Sequence, residues 1–430
     1  MKQVFLASVA ASVLLAAGAA QAQTEVDVQS NFARDRNVSV RERPKEGYEA
    51  IGLRTGAFMV YPRVTVDLEH NDNVFAHETN EQEDLIVRLR PEVSIESGWS
   101  RHALQAYARA SINRFQDFEE ENTDDYIFGA RGRIDVVGRS FLFGGVELAQ
   151  MTEPRTNAGV AQFSAEPVRY DVITANVGGT HELNRLRLTG RYDVQEYDYE
   201  DVAGGLGLID QDDRDRTQHV LSGKAEYAVS PALAVFGFAA ANTREYEEPT
   251  PVVTSGGPVL AERDSEGYEL AVGANFDITN LSRGEIQVGY LRQEYDNPVF
   301  GEISGLAVLG QLEWFPTQLT TITLRARRAV EDSGVPGSPG YLASTFRAQI
   351  DHELLRNLIL TADATFGSDE FEGIDRDDER FAAGVSATYL MNRHVGLSLG
   401  YAHFNQDSSG VDRGPNFAVN RVLASLILQY

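Results

Sequence analysis

Chemistry in this 430-residue chain would have to come from its histidines, its acidic runs or its arginines. His181-Glu182 and His352-Glu353 each place an imidazole beside a carboxylate, but neither pair has the second His by which an H-E-x-x-H helix grips zinc. No nucleophile elbow, phosphate-binding loop or dinucleotide fingerprint occurs, and no Ser/His/acid grouping stands out. Catalysis, a metal centre and a cofactor are therefore not expected. Three acidic runs stand out: Asp117, Glu119, Glu120, Glu121, Asp124 and Asp125; Asp210, Asp212, Asp213 and Asp215; and Asp369, Glu370, Glu372, Asp375, Asp377, Asp378 and Glu379. Calcium needs roughly 6–8 oxygen ligands, which such runs could supply, yet none has the EF-hand spacing. A charge run is most often a solvated face, and that is the expectation here.

The arginines are different because they alternate. In Leu85 to Glu96, Leu85, Val87, Leu89, Pro91, Val93 and Ile95 share one face, and Arg88, Arg90, Glu92, Ser94 and Glu96 share the other. Leu104, Ala106, Ala108, Ala110 and Ile112 likewise oppose Gln105, Tyr107, Arg109, Ser111 and Asn113. The same period of two recurs around Leu186–Val194, Tyr268–Ile278, Ile322–Arg327 and Phe381–Tyr389. Side chains alternate across a β-strand, so each stretch puts an apolar set on one side and a charged set on the other. The polar set includes Arg63, Arg88, Arg90, Arg109, Arg131, Arg133, Arg187, Arg191, Arg325, Arg327 and Arg347. It also includes Asp67, Glu92, Glu96, Asp135, Asp193, Glu269, Asp277 and Asp351. Pro91 is a blemish, lacking an N–H for the ladder. Phe141 to Ala149 is apolar on both faces and cannot be oriented by pattern.

A core-forming β-sandwich would keep charge off its inner face, and this chain does not. Strands of about ten residues with alternating faces are instead the mark of a transmembrane β-barrel, lipid outside and water within. Short connections (97–100, 137–139, 183–185, 230–231, 280–282, 316–317, 355–357, 391–393) alternate with long ones, as periplasmic turns alternate with extracellular loops. Counting between them predicts an all-β antiparallel barrel of about 18 strands over 58–430. Tyr192, Tyr197, Tyr199, Tyr290 and Tyr295 are expected in the aromatic girdles.

The start of the chain agrees. Met1-Lys2, an apolar run to Ala20 and Ala20-Gln21-Ala22 form a secretory leader over 1–22 with its cleavage site. No later run approaches the roughly 20 apolar residues of a membrane helix. Residues 23–57, charged and without alternation, are expected as a periplasmic extension: a flexible tail, a small plug or a partner contact. At the other end Leu426, Leu428 and Tyr430 share a face, and a terminal aromatic strand of this kind resembles the insertion signal read by the barrel-assembly machinery. Absence of cysteine suits a fold closed by its own ladder, and a net charge of −26 excludes nucleic acid as a partner. Outer-membrane lipid and lipopolysaccharide are the expected surroundings, in a Gram-negative bacterium.

Arg43-Pro44, the run Gly52-Leu53-Arg54-Thr55-Gly56-Ala57-Phe58-Met59-Val60-Tyr61-Pro62 and Asn71-Asp72-Asn73-Val74-Phe75-Ala76 resemble the opening of the putative outer-membrane beta-barrel porin 2 family. Ile303-Ser304-Gly305-Leu306 and Asp351-His352-Glu353-Leu354-Leu355-Arg356-Asn357 extend the likeness over the mature chain. The resemblance implies a pore serving exopolysaccharide or capsule export, with polysaccharide as substrate and a Wza-type periplasmic export protein as partner. Passive diffusion of small anionic or sugar solutes is the alternative, because barrels of 16–18 strands leave an aqueous channel. A structural or adhesive barrel is the third reading.

Overall fold

The computed structural model describes residues 38–157, 164–204, 207–254, 256–278 and 281–430; the expected leader, 1–22, lies outside them. Eighteen long strands carry the fold. They are β1 (Phe58–Asn71), β2 (Asp84–Ser97), β3 (Ala103–Phe115), β4 (Thr123–Asp135), β5 (Phe141–Thr152) and β6 (Arg169–Leu183). There follow β7 (Leu186–Tyr199), β8 (Arg216–Ser230), β9 (Leu233–Tyr246), β10 (Ser265–Ile278), β11 (Ser282–Tyr295) and β12 (Glu302–Thr317). The last six are β13 (Thr320–Asp332), β14 (Gly340–Leu355), β15 (Leu358–Phe371), β16 (Asp377–Leu390), β17 (Val395–Ser409) and β18 (Phe417–Gln429). Each pairs antiparallel with its neighbours in sequence. The ring closes where β1 meets β18, from Arg63↔Gln429 to Asn71↔Arg421. The strand number agrees with the pattern-based count. Closure is what lipid demands, since a backbone group left unpaired in hydrocarbon costs several kcal/mol.

The alternation decides which face meets lipid. Val66 and Leu68 on β1, Val87 and Leu89 on β2, and Leu270 and Val272 on β10 are exposed, whereas Asp67 and Glu69 on β1 and Ala271 and Asn275 on β10, of the opposite parity, are buried. Cross-strand register also orients β5, which its sequence could not. Gly129↔Glu147 and Arg131↔Gly145 put Phe141, Phe143, Gly145, Glu147 and Ala149 on the polar side, with Leu142, Val146 and Leu148 outside. Between β2 and β3 the pairing skips from Leu89↔Ile112 to Glu92↔Arg109, the gap expected around Pro91.

One expectation needs correction. Tyr192 and Tyr290 are exposed on the lipid face, but Tyr197, Tyr199 and Tyr295 are buried on the opposite face and belong to no girdle. The reason is parity: positions 197 and 199 lie an even number of residues from Asp193. Tyr170 stacks on Tyr199 with ring centroids 5.0 Å apart, and both pack with Val168, Val172 and Val202. Small hairpins, 202–204 with 207–209 and 250–254 with 257–261, ride on the long-loop end.

Candidate functional site: the lumen

Contacts between distant strands fix the inside of the ring. Lys224 Nζ on β8 lies 2.7 Å from Glu285 Oε1 on β11. Arg244 Nη2 on β9 donates to the Val330 carbonyl on β13 at 3.0 Å. Side chains of strands three or four places apart meet only across a shared interior. By register, Arg63, Arg88, Arg90, Arg109, Arg131, Arg133, Arg187, Arg191, Arg325, Arg327 and Arg347 all stand on that inner face, with Glu92, Asp193 and Glu269.

Most of these arginines are matched by an inner carboxylate. Arg88 lies 3.1 Å from Glu69, Arg90 2.6 Å from Asp67, Arg191 2.5 Å from Asp193 and Arg327 2.7 Å from Glu331. Arg187 pairs with Glu182, and Arg347 reaches Asp363 at 3.8 Å. Such pairs stiffen the wall and cancel its charge.

The β3–β4 wall is different. Arg109 and Arg133 keep 51% and 49% of their side-chain surface accessible, and Arg131 is exposed too. Arg109 Nε is 3.9 Å from Glu92, and Arg133 pairs with Asp135 at 2.8 Å. Arg131 donates to the Gln105 amide oxygen at 2.6 Å, a neutral partner. Aromatic rings hold two of the forks in place, Arg109 over Tyr107 at 4.7 Å and Arg133 over Phe141 at 3.9 Å. Tyr107 is itself anchored by donating its hydroxyl proton to Glu147. Its ring crosses Gly129, where a Cβ would fall 2.3 Å from Tyr107 Cζ, so any side chain there must displace the ring. Glu226 and Glu285 on β8 and β11 are buried, with Lys224 paired to both. Solvent space inside the barrel borders the arginines of β3 and β4.

The short-turn end is lined from within. Residues 38–50, part of the segment expected as a periplasmic extension, lie against β11, β13 and β14. The Val40 N–H donates to Thr321 Oγ1 at 3.0 Å, and Arg41 Nε bonds Asp351 Oδ1 at 2.9 Å. Lys45, with 2% of its side chain accessible, and Arg43 both reach Glu353, while Glu42 accepts from Arg283 at 2.6 Å. Opposite charges thus seat this segment on the wall.

The long-loop end holds a second network that sequence reasoning missed. Arg216 lies 3.4 Å from Asp332 and stacks over Tyr197 at 4.1 Å. Tyr246 donates its hydroxyl proton to Asp332, and Arg263 donates to the Ser333 carbonyl at 2.7 Å. Arg214 grips Glu153 at 2.6 Å over the Tyr199 ring. Periodicity could place Arg216 and Tyr246 on the inner face, but their meeting with Asp332 depends on how a hairpin folds.

Among the described residues, Asp201, Asp210 and Asp212 gather within 4.8 Å of one another, and all three are exposed. Burial and the neighbouring Asp198, Asp212 and Glu247 push the Asp215 carboxyl up to about 6, against the lowering effect of the Tyr199 N–H it accepts. Leu426, Leu428 and Tyr430 lie exposed on the lipid face, with His394 stacked on the terminal ring at 5.3 Å.

The family described as "Putative beta-barrel porin 2" matches residues 45–430. No curated protein matches. Among solved structures, the chain is similar to the outer membrane protein OpdK from Pseudomonas aeruginosa at 10% identity, over 86% of this chain and 99% of that one, with a TM-score of 0.41. It is similar to OccAB4 from Acinetobacter baumannii at 9% identity, over 90% and 100%, TM-score 0.45. A BenF-like porin from Pseudomonas fluorescens shares 11% identity, over 86% and 99%, TM-score 0.43.

Proposed function

This chain belongs to the putative beta-barrel porin 2 family and is a porin-like β-barrel of the Gram-negative outer membrane; from that footing we propose that it is a passive diffusion channel that favours small anionic solutes. The observation that carries the reading is the exposed row of Arg109, Arg131 and Arg133 on the inner wall. Guanidinium groups offer paired N–H donors in a plane, which suits carboxylate and phosphate. An exposed row of positive charge draws anions to β3 and β4, as charge lining a low-dielectric cleft does. Small sugars fit the same path, since Tyr107 and Phe141 offer flat apolar faces between polar groups.

Polysaccharide export, the first expectation from the resemblance, has less behind it. A polymer needs a wide, continuous bore, whereas side chains from β8 and β9 meet β13 across the long-loop half. A Wza-type partner, lipopolysaccharide contact and recognition of Leu426, Leu428 and Tyr430 during assembly stand as proposals alongside.

Swelling of liposomes that hold the purified full chain tests the reading. Small organic acids should enter faster than sugars of equal size. No swelling with either class, from protein shown to be folded, would overturn it.

A further inference from the structure

The barrel wall is not zipped along its full height. Between β12 and β13 the ladder ends at Val308↔Arg328. Above that level, Ile303 to Ala307 pair with β11 alone. β13 and β14 stay paired with each other up to Asp332↔Gly340, and β14 stays paired with β15 up to Tyr341↔Phe371, so the hairpin leans into the lumen hinged on β15 and open only towards β12. Five contacts record the lean: Arg244 to the Val330 carbonyl, Tyr246 and Arg216 to Asp332, Arg263 to the Ser333 carbonyl, and Tyr295 to the Pro339 carbonyl at 3.3 Å.

The side chains of this hairpin are patterned for another position. Val330 and Leu342 have the outward parity of Ala326, Phe346 and Ile350, a set that near the long-loop end also takes in Arg328, Asp332 and Ser344. Phe346 is 49% exposed, as that set should be, yet Leu342 is 5% exposed. Leu342 and Val330 pack instead on Leu291, Ile303 and Ala307, which are inner-face residues of β11 and β12. The outer surface of the hairpin therefore lies on the inner surface of the adjoining wall.

We infer that the β13–β14 hairpin is the channel's gate, held inward by Asp332 and opened by zipping β13 onto the free edge of β12. This rests on the channel reading above. Continuing the existing register pairs Ala307 with Ala329, Leu306 with Val330, Gly305 with Glu331 and Ser304 with Asp332. That state restores ladder bonds to an edge otherwise unpaired on one side, and turns Val330, Leu342 and Asp332 to the outer face, beside the Arg328–Glu370 pair. It withdraws Asp332 from Arg216, Arg263 and Tyr246 and clears the hairpin from the space in front of β8 and β9. The inward state forgoes those ladder bonds and gains buried ion pairs and apolar packing. Two discrete packings of one element, close in free energy, are what a switch requires.

The test uses the full chain with Leu306→Cys and Val330→Cys, which face each other only in the zipped register. Under oxidant a 306–330 disulfide should form, seen by mass spectrometry, and single-channel records in a planar bilayer should lock in the open level until reductant is added. Asp332→Asn, without oxidant, should raise the open-to-closed ratio at least about tenfold, the change that 1.4 kcal/mol corresponds to. Folded protein that forms no disulfide, or forms it with conductance unchanged, overturns the gate. Crosslinking without any current in any variant, including wild type, overturns the channel reading and leaves the hairpin movement demonstrated. Should the double variant not fold, an Asp332→Asn record identical to wild type overturns the gate by itself.

Discussion

The Arg216 guanidinium and the Asp332 carboxylate lie 3.4 Å apart although five steps around the strand ring separate β8 from β13. Both groups are largely removed from water, so their attraction is weakly screened while the cost of leaving either one alone is high. Arg263 and Tyr246 share the same carboxylate, which makes the four side chains one network.

Groups in one network do not contribute independently. Arg216→Gln and Asp332→Asn should each raise the open-channel fraction, and the double variant should exceed neither by much. A coupling energy of about 1–3 kcal/mol is expected from the cycle. Fully additive effects on the open-to-closed ratio would show that the two residues act separately.

At the short-turn end, residues 38–50 are seated mainly by charge. Replacing Asp351 with Asn and Glu353 with Gln removes the carboxylates that hold Arg41, Arg43 and Lys45. Trypsin added to the detergent-solubilised protein should then cleave after Arg41 and Lys45 faster than in wild type, the Arg43–Pro44 bond being resistant in both. The Lys45 contact, being buried, should resist salt, while the half-buried Arg43 contact to the same carboxylate should weaken more as ionic strength rises. Unchanged cleavage in the double variant would mean that packing of Val40, not charge, seats the segment.

The Asp215 loop carries a pH dependence of defined sign. Its carboxyl titrates at about 6 in the folded chain against 3.8 for the ordinary side chain, with burial the first cause. Between those values the folded loop holds the proton and an unfolded loop would release it. Stability therefore falls as pH rises from 3.8 towards about 6 and is flat outside that window. The protection factor of the Tyr199 amide, which donates to Asp215, taken relative to the intrinsic exchange rate at each pH, should fall across that range and lose the trend in Asp215→Asn. A trend of opposite sign would refute the assignment.

Gly129 should tolerate no side chain without cost. In Gly129→Ala the new methyl would sit within 2.3 Å of Tyr107 Cζ, so the ring must leave Glu147. Removing the hydroxyl in Tyr107→Phe while keeping Gly129 separates the two effects. We expect Gly129→Ala to lower the thermal transition more than Tyr107→Phe does, measured by heat-dependent mobility on a gel. Equal transitions would show that the ring moves freely.

Most of the barrel was legible because lipid outside and water inside impose a period of two that loops do not erase. The polarity of Arg88, Arg90 and Glu92 against Leu89, Pro91 and Val93 sufficed to assign inside and outside on β2. It failed on β5, where Phe141 and Phe143 face inward to carry Arg133 and to fill space beside Gly178, so both faces read as apolar. The tyrosines were misread by composition when parity was at hand: Tyr197 and Tyr199 continue the inner row of Asp193. The Arg216–Asp332 contact and the seating of Lys45 on Glu353 had no local signal. Each joins segments far apart in sequence, and only the closed ring brings them together.

The central claim is that water and anions pass along the arginines of β3 and β4. Its most direct test is the zero-current potential of the purified chain in a planar bilayer across a potassium chloride gradient. The account predicts a potential of anion-selective sign, reduced or reversed when Arg109, Arg131 and Arg133 are all replaced by Gln. A cation-selective wild type, or a triple variant with unaltered selectivity, would contradict it.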